Sequence, residues 1–355
     1  MIKYFLSFSL IVLYGCGGSS DGVSNKNPFN VKSFNPYTDD GFKYAWHLRV
    51  VEPDIASTYN ITDDSNINIY GAWAKTRGGG VKVAVIDYDF NPLNADIKSN
   101  VASTYDTETN TTNIKKDISS HGTSIASIIA SPKNGIGVIG VAPETKLILI
   151  DANISSDYSN DTNKIRAFYK AKELGAKVIC CSWGSLSKVS SQMKDTLKNM
   201  YNSGITVIFA SGNNGGLDLD SDVDFDDESE SPYVIGVGAS TEQNTKADYS
   251  NYGDNIDILA PGGSASFGIY SDRYYDSNYD YLNGTSAAAP IVAGVVALML
   301  SVNHDLTPKQ IRDIIISTAQ KIDPKNANYD QNGFSHTHAY GKINASAAVA
   351  KALTY

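Results

Sequence analysis

VKVAVID, residues 81–87, is a short apolar run rich in β-branched side chains and closed by an acid. Its counterparts are KLILIDA (146–152), AKVICCSWG (176–184), TVIFASGN (206–213) and YVIGVGAS (233–240), which reach Asp151, Gly184, Asn213 and Ser240 at or next to their ends. Such runs predict strands that give way to functional loops. Helical stretches such as TSIASIIAS (123–131) and NKIRAFYKAKELG (163–175) lie between several of them. That alternation predicts an α/β fold, a mostly parallel sheet with helices on both faces. Ligands of such sheets sit outside the carboxyl ends of the strands, so the residues just past each run are the ones to inspect.

Four of those positions form a chemical set. Asp87 ends the first run, His121 opens the helix HGTSIASIIA, Asn213 ends FASGN, and Ser286 heads the apolar stretch AAAPIVAGVVALMLSV. Singly, each has an ordinary explanation as a cap, a structural histidine or a turn residue. Together they supply an acyl-transfer site: a hydroxyl nucleophile, a base to take its proton, a carboxylate to fix the imidazole, and an amide donor for the developing oxyanion. Pro290 adds a puzzle. It sits about one turn inside the helix, where it cannot donate to the Ser286 carbonyl and its ring crowds that carbonyl. A local rule broken without visible gain marks a functional place.

The chain of 355 residues is 42% hydrophobic, enough for a large core in one large domain or two ordinary ones. Its net charge of -9, with no basic stripe, excludes a general nucleic-acid binder. Residues 1–16 predict a secretory signal, with Lys3 at the start, an apolar run too short to span a bilayer, and LYGC at the close. Residues 17–41 predict a flexible tether or N-terminal extension. Cys180 and Cys181 are neighbours in a strand, so their sulfurs face opposite ways; they predict buried thiols without metal-ligand spacing.

From about Phe42 to the C-terminus the blocks VKVAVID, HGTSIASIIA, NGIGVIGVAPETKL, CSWG, FASGNNGG, SPYVIGVGAS, YSNYGDNIDILAPGG and GTSAAAPIVAGVVALML follow one another in an order that resembles the subtilisin-like serine peptidases, the subtilases. The resemblance implies a three-layer subtilisin-like fold over residues 42–355. It implies a serine endopeptidase acting through an acyl-enzyme, with Asp87, His121 and Ser286 as triad. Asn213 and the backbone N–H of Ser286 would form the oxyanion hole, helped by the helix dipole. A protein or peptide substrate would lie extended along Ser182, Trp183 and Gly184 as an added strand. WHLRVV and NINIYGAWAKTRGGGVKVAVID lean toward the kexin-like branch, whose acidic residues just after SWG favour basic substrates; here SLSKVS follows, which leaves that specificity open. LYGC is similar to the bacterial lipobox, implying lipidation of Cys16 and an exported, membrane-anchored lipoprotein on the periplasmic or cell-surface side.

Calcium is implied as a structural cofactor. The loop PKNGIGV matches one that wraps calcium in subtilisins, which places Asn134 and Asp96 as ligands with the N-terminal ligand unassigned. The acidic run LDLDSDVDFDDESES, with Asp218, Asp220, Asp222, Asp224 and Asp226 at every second position, reads as a solvated loop, a calcium loop or a pocket wall for Arg or Lys. Tyr88 and Asp89 stand where the family pattern has Ser or Thr followed by Gly, which makes Asp89 a competitor for the role of Asp87. No prodomain is recognised between Cys16 and Gly78, so a separate folding chaperone or unaided folding is expected. The alternative from another class is a surface binding lipoprotein that keeps the subtilase fold without catalysis. His47, His304, His336 and His338 have no partner at a recognisable spacing.

Overall fold

The computed structural model describes residues 34–114, 120–154, 161–184, 188–219, 227–273 and 278–355. The expected signal, Cys16 and Asp220, Asp222, Asp224 and Asp226 lie outside the described residues. Helices α1 (Pro53–Tyr59) and α2 (Ile69–Trp73) precede β1 (Lys82–Asp87) and β2 (Val101–Asp106). Then come α3 (His121–Ala130), β3 (Lys146–Asp151), α4 (Asp161–Glu173), β4 (Val178–Cys181), α5 (Ser191–Asn202), β5 (Thr206–Ala210), β6 (Val234–Ser240) and β7 (Ile258–Pro261). The hairpin β8 (Ile269–Arg273) and β9 (Asn278–Leu282) leads into α6 (Thr285–Val302), and α7 (Pro308–Ser317), α8 (Pro324–Ala327) and α9 (Ala345–Ala352) follow.

β1 to β7 make a seven-stranded sheet in the order β2-β3-β1-β4-β5-β6-β7, with every neighbouring pair parallel. Period-two alternation divides each strand between two cores. Val83 and Val85 pack with α3 and α6, whereas Ala84 and Ile86 pack with Phe168 of α4 and Met193 of α5. Each fully buried Val or Ile contributes on the order of 1.5–3 kcal/mol. Cys180 falls in the first core and Cys181 in the second, both as free thiols. α6 is apolar on all sides because it is surrounded; 83% of it is buried, so its membrane-span length and hydropathy reflect a central core helix.

The folded chain reaches back past the boundary expected at residue 42. Phe34 packs edge-on against Trp73 at 5.0 Å, and Asp39 is 1% exposed. Residues 34–41 therefore belong with the fold rather than with the tether, because an aromatic ring and a carboxylate find their partners there. Sheet growth reverses at β1, which has β3 on one side and β4 on the other. A crevice opens outside the carboxyl ends of strands at such a point. Asp87 ends β1, while Ser182 and Asn213 follow the neighbouring strands β4 and β5.

Candidate active site

Asp87 is fully buried at the end of β1. Its Oδ1 accepts the N–H of Tyr88 at 2.9 Å and lies 2.7 Å from His121 Nδ1. The backbone fixes this pair, since the N–H of Gly122 donates to the Tyr88 carbonyl at 3.0 Å and ties the start of α3 to the end of β1. The Tyr88 ring stacks on the imidazole, with centroids 5.1 Å apart and planes 6° from parallel. Asp89 has φ +58°, in the left-handed region that Asp tolerates better than most residues. Asp89 thus makes the turn, and Asp87 is the acid paired with the imidazole.

Ser286 sits in the first turn of α6, and its hydroxyl donates to the Ser182 carbonyl at 3.0 Å. The Ser182 hydroxyl donates in return to the Ser286 carbonyl, also at 3.0 Å. In an uninterrupted helix that carbonyl would accept the N–H of residue 290. Pro290 has none, so the carbonyl is free to cross-link α6 to the chain leaving β4. The proline that looked like a fault is the reason this lateral bond exists.

Asn213 is oriented from the same helix. Its Oδ1 accepts the backbone N–H of Thr285 at 2.8 Å and the Thr285 hydroxyl at 3.0 Å, which leaves its exposed amide group as a donor. Thr285 Oγ1 also accepts the N–H of Gly212 at 3.1 Å. Gly284, at φ +114°, is needed for this approach, because a Cβ there would lie 3.1 Å from Asn213 Nδ2. The N–H of Ser286 lies in the first helical turn, where the helix supplies no acceptor of its own.

Several supports escape sequence reasoning. The Tyr249 hydroxyl accepts the N–H of Gly284 at 3.1 Å and donates to the Gly263 carbonyl at 2.6 Å. Asn251 donates to the Ser211 carbonyl at 2.9 Å and accepts the N–H groups of Asn214 and Leu217, pinning the loop that carries Asn213. The Trp183 side chain is buried, its indole donating to the Ile86 carbonyl at 2.7 Å. Of the expected substrate strand, Trp183 therefore offers only its backbone.

Asp96 and Asn134 also come together, with Asn134 Nδ2 donating to Asp96 Oδ1 at 3.0 Å and the Val138 N–H to Asp96 Oδ2 at 2.9 Å. Asp39, from the N-terminal segment, meets the same loop, its carboxylate accepting the N–H groups of Asn134 and Gly135 at 3.0 and 3.1 Å. Burial, reinforced by the charges of Asp272 and Asp39, pushes Asp96 up to about 8. Among the described residues no group of three or more His, Cys, Asp or Glu is placed to hold a metal. An ion here would draw on two carboxylates together with amide and carbonyl oxygens, a donor set that suits a hard cation. Asp218, from the acidic run, pairs instead with His336 Nε2 at 3.0 Å, and His336 Nδ1 lies 2.7 Å from Asp254.

The sequence profile described as "Subtilase family" matches residues 78–341. The chain belongs to the subtilase family. It is 33% identical over 272 residues to subtilisin DY of Bacillus licheniformis, covering 77% of this chain and 92% of that protein. Against a "Calcium-dependent protease" of Nostoc it is 30% identical, over 88% of this chain and 52% of the relative. Among solved structures, fervidolysin from Fervidobacterium pennivorans, a keratinolytic enzyme related to subtilisin, superposes with a TM-score of 0.67 at 28% identity over 79% of this chain and 44% of that one. A serine protease of Aeromonas sobria, solved with its chaperone, shares the fold with a TM-score of 0.76 at 21% identity, over 90% of this chain and 67% of that one. This subtilase is a serine endopeptidase with a three-layer α/β fold.

Proposed function

We propose that this subtilase cleaves peptide bonds through an Asp87–His121–Ser286 triad, with Asn213 Nδ2 and the Ser286 N–H holding the oxyanion. The observation that carries the reading is the 2.7 Å pairing of His121 Nδ1 with buried Asp87 on the rim where α6 presents the Ser286 hydroxyl. With Asp87 on Nδ1, the other ring nitrogen of His121 takes the hydroxyl proton as Ser286 Oγ attacks the substrate carbonyl. The tetrahedral intermediate collapses when the imidazolium gives that proton to the departing amine, leaving an acyl-Ser286. Water, deprotonated by His121, then releases the acid and restores the serine.

A fluorophosphonate probe is the test. Labelling of Ser286 that is lost in Ser286→Ala and in His121→Ala supports the assignment, and labelling indifferent to His121 removes the base.

The chain's LYGC signature supports an exported enzyme held to the membrane by lipid on Cys16. Cys16→Ala should then move activity from the membrane to the soluble fraction. Calcium held by Asp39, Asp96, Asn134 and neighbouring carbonyls would screen the buried carboxylates and stiffen the loop after α3; the calcium-dependent Nostoc relative favours this. The Aeromonas protease solved with a chaperone supports a separate folding helper, and active enzyme refolded from the purified chain alone would exclude an obligatory one.

A further inference from the structure

Asp87 grips His121 through a single oxygen. The Tyr88 N–H at 2.9 Å and His121 Nδ1 at 2.7 Å both meet Oδ1, while among the described residues the buried Oδ2 has no hydrogen-bond partner. One such contact fixes where Nδ1 lies but not the plane of the ring, because the second side-chain torsion of histidine has a broad minimum. A flat neighbour can set that plane.

Tyr88 is that neighbour. Its ring lies 6° from parallel to the imidazole with centroids 5.1 Å apart, within the range of stacked aromatic pairs. His47, His336 and His338 meet aromatic rings steeply instead, at 85°, 82° and 69°. The Tyr88 ring is itself held, since it is half-buried and packs against the core that contains Ile86 and Phe168. Its backbone is tied to α3 at two points: the Gly122 N–H donates to the Tyr88 carbonyl at 3.0 Å, and the Asn91 N–H donates to Thr123 Oγ1 at 2.8 Å. The fit is close, for a Cβ on Gly122 would lie 2.6 Å from both the Tyr88 carbonyl oxygen and Phe90 Cε1. Residues 87–91 and the first turn of α3 are therefore locked together, and the stack exists before substrate arrives.

We propose that Tyr88 is the positioning residue of the catalytic imidazole, its ring fixing the plane of His121 so that the nitrogen remote from Asp87 keeps one direction as it takes and returns the serine proton; this rests on the triad reading above. Tyr88 acts through His121 and carries no proton itself. Charge adds to the effect. Once the imidazole takes the serine proton it is a cation against the electron-rich face of the phenol ring, so the stack is stronger in the transition state than at rest. Loss of the ring should therefore be felt in kcat rather than in KM.

The test uses the full chain with Tyr88→Leu, which keeps an apolar side chain against the core but has no flat face, and Tyr88→Phe, which keeps the face and loses only the hydroxyl. Tyr88→Leu should lower kcat about 10-fold with KM changed less than about 2-fold, and Tyr88→Phe should recover most of the loss. Proton NMR reads the stack itself. The carbon-bound ring protons of His121, assigned by their absence in His121→Ala, should lie upfield of free histidine and move downfield in Tyr88→Leu but not in Tyr88→Phe. A Tyr88→Leu enzyme with wild-type kcat overturns the proposal, as does a loss carried wholly by KM or a Tyr88→Phe enzyme as impaired as Tyr88→Leu. Should Tyr88→Leu not fold, the wild-type spectrum decides, since His121 protons at the free-histidine position mean that no stack forms. A wild type that shows the upfield protons yet takes no fluorophosphonate label keeps the stack but overturns the triad reading, and with it the role that depends on it.

Discussion

Asp87 and Asp96 are both buried carboxylates in the stretch that leaves β1, yet they meet opposite surroundings. Asp87 has an imidazole of the same chain at 2.7 Å, a partner able to carry positive charge. Asp96 accepts, among the described residues, the N–H groups of Asn134 and Val138, with Asp39 and Asp272 adding negative charge, and it is pushed up to about 8. In the proposed reading the rim is completed by the chain's own residues, whereas the 134–138 loop is completed by a cation. The first should therefore fail through single side chains, and the second through removal of an ion.

The largest effects belong on the rim. Ser286→Ala or His121→Ala should lower kcat by about 10⁶-fold and Asp87→Asn by about 10⁴-fold, read as peptide turnover with circular dichroism as a fold check. Asn213→Ala should lose about 10²- to 10³-fold in kcat with KM little changed, because its amide acts on the charge that develops in the transition state. Losses of similar size in all four variants would break the distinction between nucleophile, base and donor.

The loop responds to ions instead. A calcium concentration 100 times Kd stabilises by about 2.7 kcal/mol, so EDTA should lower Tm by roughly 4 °C in a chain of this size. The pH dependence sharpens the contrast. Asp96 is raised from its ordinary 3.8 to about 8, so the folded state holds a proton that the unfolded state releases over that window. Its contribution to the metal-free protein is full below about pH 4 and lost as pH rises toward about 8. Thermal melts should consequently show a gap between calcium and EDTA that widens with pH, and Asp96→Asn should narrow it.

The smallest effect isolates the proline. Ser182→Ala leaves the Ser286 carbonyl without its donor and should cost about 1–3 kcal/mol in chemical denaturation. Adding Pro290→Ala restores a helical N–H to that carbonyl and should recover part of the loss, a coupling that additive variants would refute.

Much of this was legible in the sequence, because strand ends announce themselves. Runs such as VKVAVID and TVIFASGN alternate between two cores and stop at the sheet's carboxyl edge, so the pattern marked the positions of Asp87 and Asn213, while their proposed roles came from the set of four and the family resemblance. Thr285, Tyr249 and Asn251 could not, since each acts through a bond to a segment distant in the chain and none has a local signature. Asp39 was hidden in a stretch that reads as a tether, and it became visible only when its carboxylate met the Asn134 and Gly135 amides.

Trapping the acyl-enzyme tests the central claim most directly. Acid-quenched mixtures of enzyme and a peptide ester, digested and read by mass spectrometry, should carry the substrate's acyl mass on Ser286, with the adduct absent in His121→Ala. An adduct on any other residue, or peptide hydrolysis that persists in Ser286→Ala, would contradict the account.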